Sequence, residues 1–200
     1  MLKVGITGGI GSGKTMVASI FEQLGIPVYY ADVEAKRIMN SDAKIIDTIK
    51  DLFGHESYRE GSLNKKWIAD AIFSNPSKRL ALNEIVHPAT IAASEKWMSL
   101  QKTPYVLKEA ALIFESGAEK HLDYVIGVSC SETERIARII KRDNIDEVTA
   151  IARIKGQMND EEKMRRCDFI IDNNEREFLT TQVIEIHEAL LKRAEAKIII

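Results

Sequence analysis

Five glycines fall within eleven residues near the start of the chain, GITGGIGSGKT from Gly5 to Thr15, and a lysine and a hydroxyl close the segment. Within it, Gly8-x-x-x-x-Gly13-Lys14-Thr15 is the complete phosphate-binding loop pattern. Each part has a physical task. Glycines let the backbone turn tightly and aim several N–H groups at one point, so Gly8, Gly9, Ile10, Gly11, Ser12 and Gly13 form a candidate anion cradle. A helix starting at Lys14 adds its positive end. Lys14 reaches toward the β- and γ-phosphates, and the Thr15 hydroxyl is a candidate Mg²⁺ ligand. ATP and Mg²⁺ are therefore the expected cofactors.

Transfer of a phosphoryl group to a hydroxyl also needs a carboxylate that takes or orients the acceptor's proton. Asp32 is the candidate, placed just past a second predicted strand, at the edge where an open parallel sheet collects ligands. A helix N-cap is the competing role for an aspartate there. A second candidate group is basic. Arg135, Arg138 and Arg142 recur at helical spacing, with Arg153, Lys163, Arg165 and Arg166 beyond them. Interleaved glutamates make a solvated, ion-paired surface one explanation. Arginines meeting charge on a transferred phosphoryl group from a closing lid are the other.

These residues need a frame. Leu2 to Thr7 is short, apolar and β-branched, as a buried strand requires. Lys14 to Leu24 has helical periodicity, and Ile26 to Tyr30 again looks like a strand, giving one right-handed βαβ unit. Helices are expected over 31–40, 42–53, 63–73 and 77–100, with a polar loop at 54–61 and a kink or break at Pro88. Strands return at 105–107, 124–129 and 169–171, with charged helices at 132–142 and 147–157 and an amphipathic helix at 175–193. The expected fold is α/β: a parallel-sheet P-loop core like that of nucleoside-monophosphate kinases, in one domain over 1–200. Two helical excursions leave this core, one over about 42–101 and one over about 135–166.

Bulk properties narrow the class. At 200 residues the chain is ample for one domain with a sizeable core. Its net charge of -2 argues against bulk electrostatic binding of nucleic acid. Two cysteines, Cys130 and Cys167, and no CxxC fit a reduced, cytoplasmic setting. The start of the chain does not resemble a signal peptide, and no apolar run is long enough for a membrane span. No nucleic-acid or membrane partner is expected, and the chain should be a monomer or weak homo-oligomer. Asn64-Lys65-Lys66-Trp67 lacks the aspartate of the GTPase base-recognition motif. A compact small-molecule kinase suits the size best. The alternatives are a nucleoside or nucleoside-monophosphate kinase, and a nucleotide-dependent switch without transfer activity.

The loop 5–15, Ala31-Asp32, Ile85-Val86-His87-Pro88 and Leu112-Ile113-Phe114-Glu115, in that order and spacing, resemble the dephospho-CoA kinase family. The resemblance covers nearly the whole chain. It implies ATP-dependent phosphorylation of the ribose 3′-hydroxyl of dephospho-CoA, the last step of coenzyme A biosynthesis. It makes Asp32 the base or acceptor-orienting residue, puts His87 at an acceptor-binding position, and places Glu109 near Mg²⁺ or its waters. It makes the helical block over about 42–101 the acceptor-binding insertion, puts a helical lid over about 135–166 with Arg138 and Arg142 as its phosphate-meeting residues, and places Asn173 near where such kinases hold adenine. The chain also departs from the family pattern. Tyr30-Ala31-Asp32 stands where Asp-Ala-Asp is usual, Lys36 and Lys65 stand where arginines are usual, and Ala111 replaces a proline before the LIFE segment. Lysine cannot clamp a phosphate bidentately as arginine does.

Overall fold

A computed structural model of the chain describes residues 1–73, 75–174 and 178–198. Along the chain these form β1 (Leu2–Thr7), α1 (Lys14–Gln23), β2 (Val28–Tyr30), α2 (Ala31–Ser41) and α3 (Ala43–Phe53). A small hairpin of β3 (Tyr58–Arg59) and β4 (Ser62–Leu63) precedes α4 (Lys65–Phe73) and α5 (Pro76–Ser99). Then come β5 (Tyr105–Glu109), β6 (Tyr124–Ser129), α6 (Glu132–Asp143), α7 (Glu147–Lys155), α8 (Asp160–Arg165), β7 (Phe169–Asp172) and α9 (Leu179–Ile198). Two compact units result, one from Met1–Tyr30 with Met98–Ile200, the other from Ala31–Trp97.

The first unit is built on a five-stranded sheet in the order β2-β5-β1-β6-β7. Every pairing in it is parallel, with Ile6 opposite Glu109 on one side and Ile126 on the other. Parallel strands covered by helices are buried on both faces, which explains near-continuous apolar runs such as Val125–Val128. Val4, Ile6, Leu107, Ile126 and Ile171 pack with Val17 and Phe21 of α1 and Val183 and Leu190 of α9. Each fully buried side chain of this size stabilises the fold by roughly 1.5–3 kcal/mol. Because the strands are parallel, β1, β5, β6 and β7 deliver Thr7, Glu109, Ser129 and Asp172 to one sheet edge.

The second unit is a helical cluster around Ile38, Ile45, Ile49, Phe53, Ile68 and Val86. Asp42 caps α3 by accepting from the Ile45 N–H at 3.2 Å. The expected polar loop at 54–61 is instead a 3₁₀ turn leading into the β3–β4 hairpin, anchored by the Tyr58 hydroxyl donating to the Met39 carbonyl at 2.5 Å. Pro88 does not divide α5, which continues for a further eleven residues through Thr90, whose hydroxyl donates to the Val86 carbonyl. The last helix was expected from Glu175. That start lies outside the described residues, and the described helix begins at Leu179. Among the described residues no helix is long and apolar enough to cross a membrane.

Candidate active site

The glycine loop runs from the end of β1 into α1, so its backbone N–H groups and the start of the helix share one place on the sheet edge. Gly11 and Gly13 take φ of 84° and 91°, a region in which a side chain would be strained. Space is also closed there. A Cβ at Gly11 would stand 2.8 Å from the Arg135 carbonyl oxygen.

On its β5 side the loop meets Glu109, the last residue of that strand and only 3% exposed. One carboxylate oxygen, Oε1, accepts from the Thr15 hydroxyl at 3.1 Å and lies 3.5 Å from the Lys14 ammonium. Lysine, hydroxyl and carboxylate thus converge. This brings to the adjacent Lys14 and Thr15 a carboxylate that lies 94 positions beyond Thr15 in the sequence. Tyr30, opposite Glu109 in the β2–β5 register, donates its hydroxyl to Glu22 at 2.8 Å. Burial, then the hydrogen bond and charge of Glu22 and the charge of Glu109, push its phenol well above the ordinary tyrosine value.

On the β6–β7 side the partners are amides and guanidinium groups, and they hold the loop's backbone. Asn173, just past β7, donates from Nδ2 to the Ser12 carbonyl at 2.8 Å, and its own N–H donates to the Ser129 carbonyl. Arg135 donates from Nε to the Ile10 carbonyl at 3.0 Å. The Gln157 side-chain oxygen accepts from the Ile10 N–H at 2.8 Å. Arg138 reaches the Gly11 carbonyl at 3.5 Å and the Asn173 carbonyl at 3.4 Å, and pairs with Glu134 at 3.2 Å.

The dephospho-CoA kinase family model matches residues 2–177. This chain belongs to the dephospho-CoA kinase family. A dephospho-CoA kinase of Syntrophotalea carbinolica is 41% identical over 178 residues, covering 87% of this chain and 84% of that protein. Among solved structures, TT1252 from Thermus thermophilus superposes with a TM-score of 0.81 at 31% identity, over 96% of this chain and 97% of that one. A dephospho-CoA kinase from Campylobacter jejuni superposes with a TM-score of 0.67 at 26% identity, over 95% and 97%. The fold is that of the P-loop kinases, and family membership makes the chain an ATP-dependent kinase.

The remaining residues singled out from the dephospho-CoA kinase pattern occupy varied settings. α2 begins at Ala31, so Asp32 stands exposed inside the first helical turn rather than at the N-cap position. His87 lies half-buried within α5. Arg142 is mostly exposed and pairs with its neighbour Asp143 at 2.7 Å, and Arg153 reaches the same carboxylate at 2.5 Å. The hydrogen bond from Arg142 holds the Asp143 carboxyl below the usual carboxylate range. Asn173 spends its side-chain amide on the loop backbone.

Several contacts were not anticipated. Glu115 of the LIFE segment pairs with Lys163 at 3.0 Å and accepts from the Met158 N–H at 3.0 Å. Lys163 is fully buried and also donates to the Ala111 carbonyl at 2.8 Å. The sequence did carry a signal for α8, because Asn159 stands three residues before Glu162 and caps the helix by accepting from its N–H. Arg135 was visible as one of the arginine stripe, and its spacing of four from Ile139 put it on the inward face.

Proposed function

We propose that this chain transfers the γ-phosphoryl group of ATP to the ribose 3′-hydroxyl of dephospho-CoA, releasing ADP and coenzyme A. One observation carries the reading. In a member of this family, the loop lysine and threonine meet the β5 carboxylate within 3.5 Å.

In this reading the loop from Gly8 to Thr15 binds the phosphates through backbone N–H groups other than those of Ile10 and Ser12, which donate to Gln157 and Gly9, and Lys14 neutralises charge on them. Thr15 and Glu109 offer oxygen donors 3.1 Å apart, the hard ligand type that Mg²⁺ takes, usually one or two from protein with the rest from phosphates and water. When bound, Mg²⁺ draws charge from the phosphate oxygens. Asp32 accepts or orients the proton of the 3′-hydroxyl, His87 contacts the acceptor, and Arg138 and Arg142 meet charge on the transferred group. Asn173 contributes to the nucleotide site by donating to the Ser12 carbonyl. The helical segment over 42–101 takes the acceptor, and the lid lies within 135–166. A cytoplasmic setting and a monomer or weak homo-oligomer complete the reading, motivated by the net charge of -2 and by cysteines that form no disulfide.

The test is ADP release from Mg·ATP with dephospho-CoA, pantetheine phosphate, adenosine, uridine, AMP and CMP offered singly. The reading requires turnover with dephospho-CoA. Turnover confined to a nucleoside or monophosphate would overturn the acceptor. In the Asp32→Asn variant kcat should fall by roughly 10²–10⁴-fold if Asp32 acts on the proton. A change confined to KM for dephospho-CoA would make it a binding residue instead.

A further inference from the structure

A loop that aims its N–H groups at an anion must turn carbonyls away from it, and those carbonyls need donors of their own. Here two of them, Ile10 and Ser12, are met by Arg135 Nε and Asn173 Nδ2. Arg135 differs from the other arginines of α6. It is 3% exposed, and its Nη1 lies 3.0 Å from Asp160, the first residue of α8. A buried guanidinium is costly unless paired, so Asp160 is what makes its place on the loop tenable. Glycine is required under it, since a Cβ at Gly9 would collide with the guanidinium and one at Gly11 with the Arg135 backbone.

The support extends beyond one residue. Gln157, three positions before Asp160, takes the Ile10 N–H. Met158 between them is tied to Glu115, and Lys163 within α8 is tied to Glu115 and to Ala111, which follow β5. The segment 157–163 is therefore fastened both to the glycine loop and to the chain after β5. Arg135 commits Nε to a backbone carbonyl and Nη1 to a carboxylate, and at 3% exposure it has no open face to turn toward a transferred group.

We propose that Arg135, held by Asp160, is a positioning residue that fixes the shape of the loop from Gly9 to Ser12 and so sets affinity for ATP, without touching the group transferred. This rests on taking the loop as the ATP site. The experiment measures Mg·ATP binding by calorimetry without acceptor, alongside kcat, both KM values and thermal melting. Arg135→Lys and Asp160→Asn should each raise the Kd and KM for ATP by about tenfold, leaving KM for dephospho-CoA within about twofold. Asp160→Glu, which keeps the ion pair, should recover most of the loss. Unchanged ATP affinity in both folded variants would overturn the proposal, as would a fall in kcat with ATP affinity intact. If the Arg135 variant fails to fold, the half-buried Gln157 carries the test. Gln157→Leu should weaken ATP binding severalfold and Gln157→Glu should restore it, and normal binding by Gln157→Leu would overturn the proposal. A wild-type protein that binds ATP but does not phosphorylate dephospho-CoA would refute the functional reading alone, because the binding measurement needs no acceptor.

Discussion

On its β5 side the glycine loop meets one carboxylate, which takes a lysine and a hydroxyl; on its β6–β7 side it meets amides and guanidinium groups, which take backbone carbonyls. The first flank consists of charged and polar side chains whose own groups suit phosphate and metal. The second consists of side chains whose polar groups are already spent on the loop. The difference teaches how one short motif is made to work. Lys14, Thr15 and Glu109, which suit phosphate and metal, sit on the β5 side, and Arg135, Gln157 and Asn173, which hold the shape of the loop, sit on the other. Substitutions should therefore divide into those that lower kcat and those that weaken nucleotide binding and stability.

Lys14→Ala offers the largest effect. It removes the positive charge on the β5 flank, and kcat/KM for ATP-dependent transfer should fall by about 10³-fold while the melting temperature changes little. Near-normal turnover would show that this flank is not where the chemistry lies. Glu109→Gln keeps the shape and removes the charge. Activity at limiting Mg²⁺ should fall by roughly 10–100-fold and recover partly as Mg²⁺ is raised. A loss indifferent to Mg²⁺ would instead make Glu109 an anchor for Lys14.

The same division governs what could be foreseen. The phosphate loop was legible because its residues are contiguous and each type has a fixed task. β1 and β6 were legible because apolar β-branched runs ending at turn residues have few other outcomes. Glu109 was reached through the family resemblance, which placed it near Mg²⁺ or its waters, and parallel register with β1 is what carries it to Lys14. The β6–β7 flank was largely illegible. Arg135, Arg138 and Arg142 are alike in type and share a helix, and helical phase alone separates the buried Arg135 from the half-buried Arg138 and the exposed Arg142. Gln157 closes the expected charged helix and Asp160 follows it in a polar stretch, and the task of Gln157 is set by a loop 147 positions earlier. The Lys163–Glu115 pair was hidden for a related reason, since a fully buried lysine is rare enough that a solvated one is always the first expectation.

Smaller effects sharpen the second flank. Asn173→Leu leaves the Ser12 carbonyl without its amide donor. It should cost about 1–3 kcal/mol of stability and raise KM for ATP severalfold, with kcat at saturation nearly unchanged. A large fall in kcat would move Asn173 to the reactive flank. The smallest expected signal is chemical. Cys130 follows β6, is buried, and donates to Glu134, and burial first, then that hydrogen bond, pushes its thiol up to about 11. A raised thiol value means less thiolate at a given pH. Alkylation of Cys130 at pH 8 should therefore run at least about 10²-fold slower than that of an unfolded control and rise about tenfold per pH unit up to pH 10. Fast labelling at pH 8 would mean that this side of the loop is not the rigid support described.

The most direct measurement of the central claim is ³¹P NMR of the product formed from Mg·ATP and dephospho-CoA, for the wild type and for Lys14→Ala at equal concentration. The account predicts a new phosphomonoester on the ribose 3′-oxygen, appearing in step with ADP in the wild type and absent from the variant over the same interval. Inorganic phosphate appearing in place of the ester, or the same ester forming at the same rate in Lys14→Ala, would contradict it.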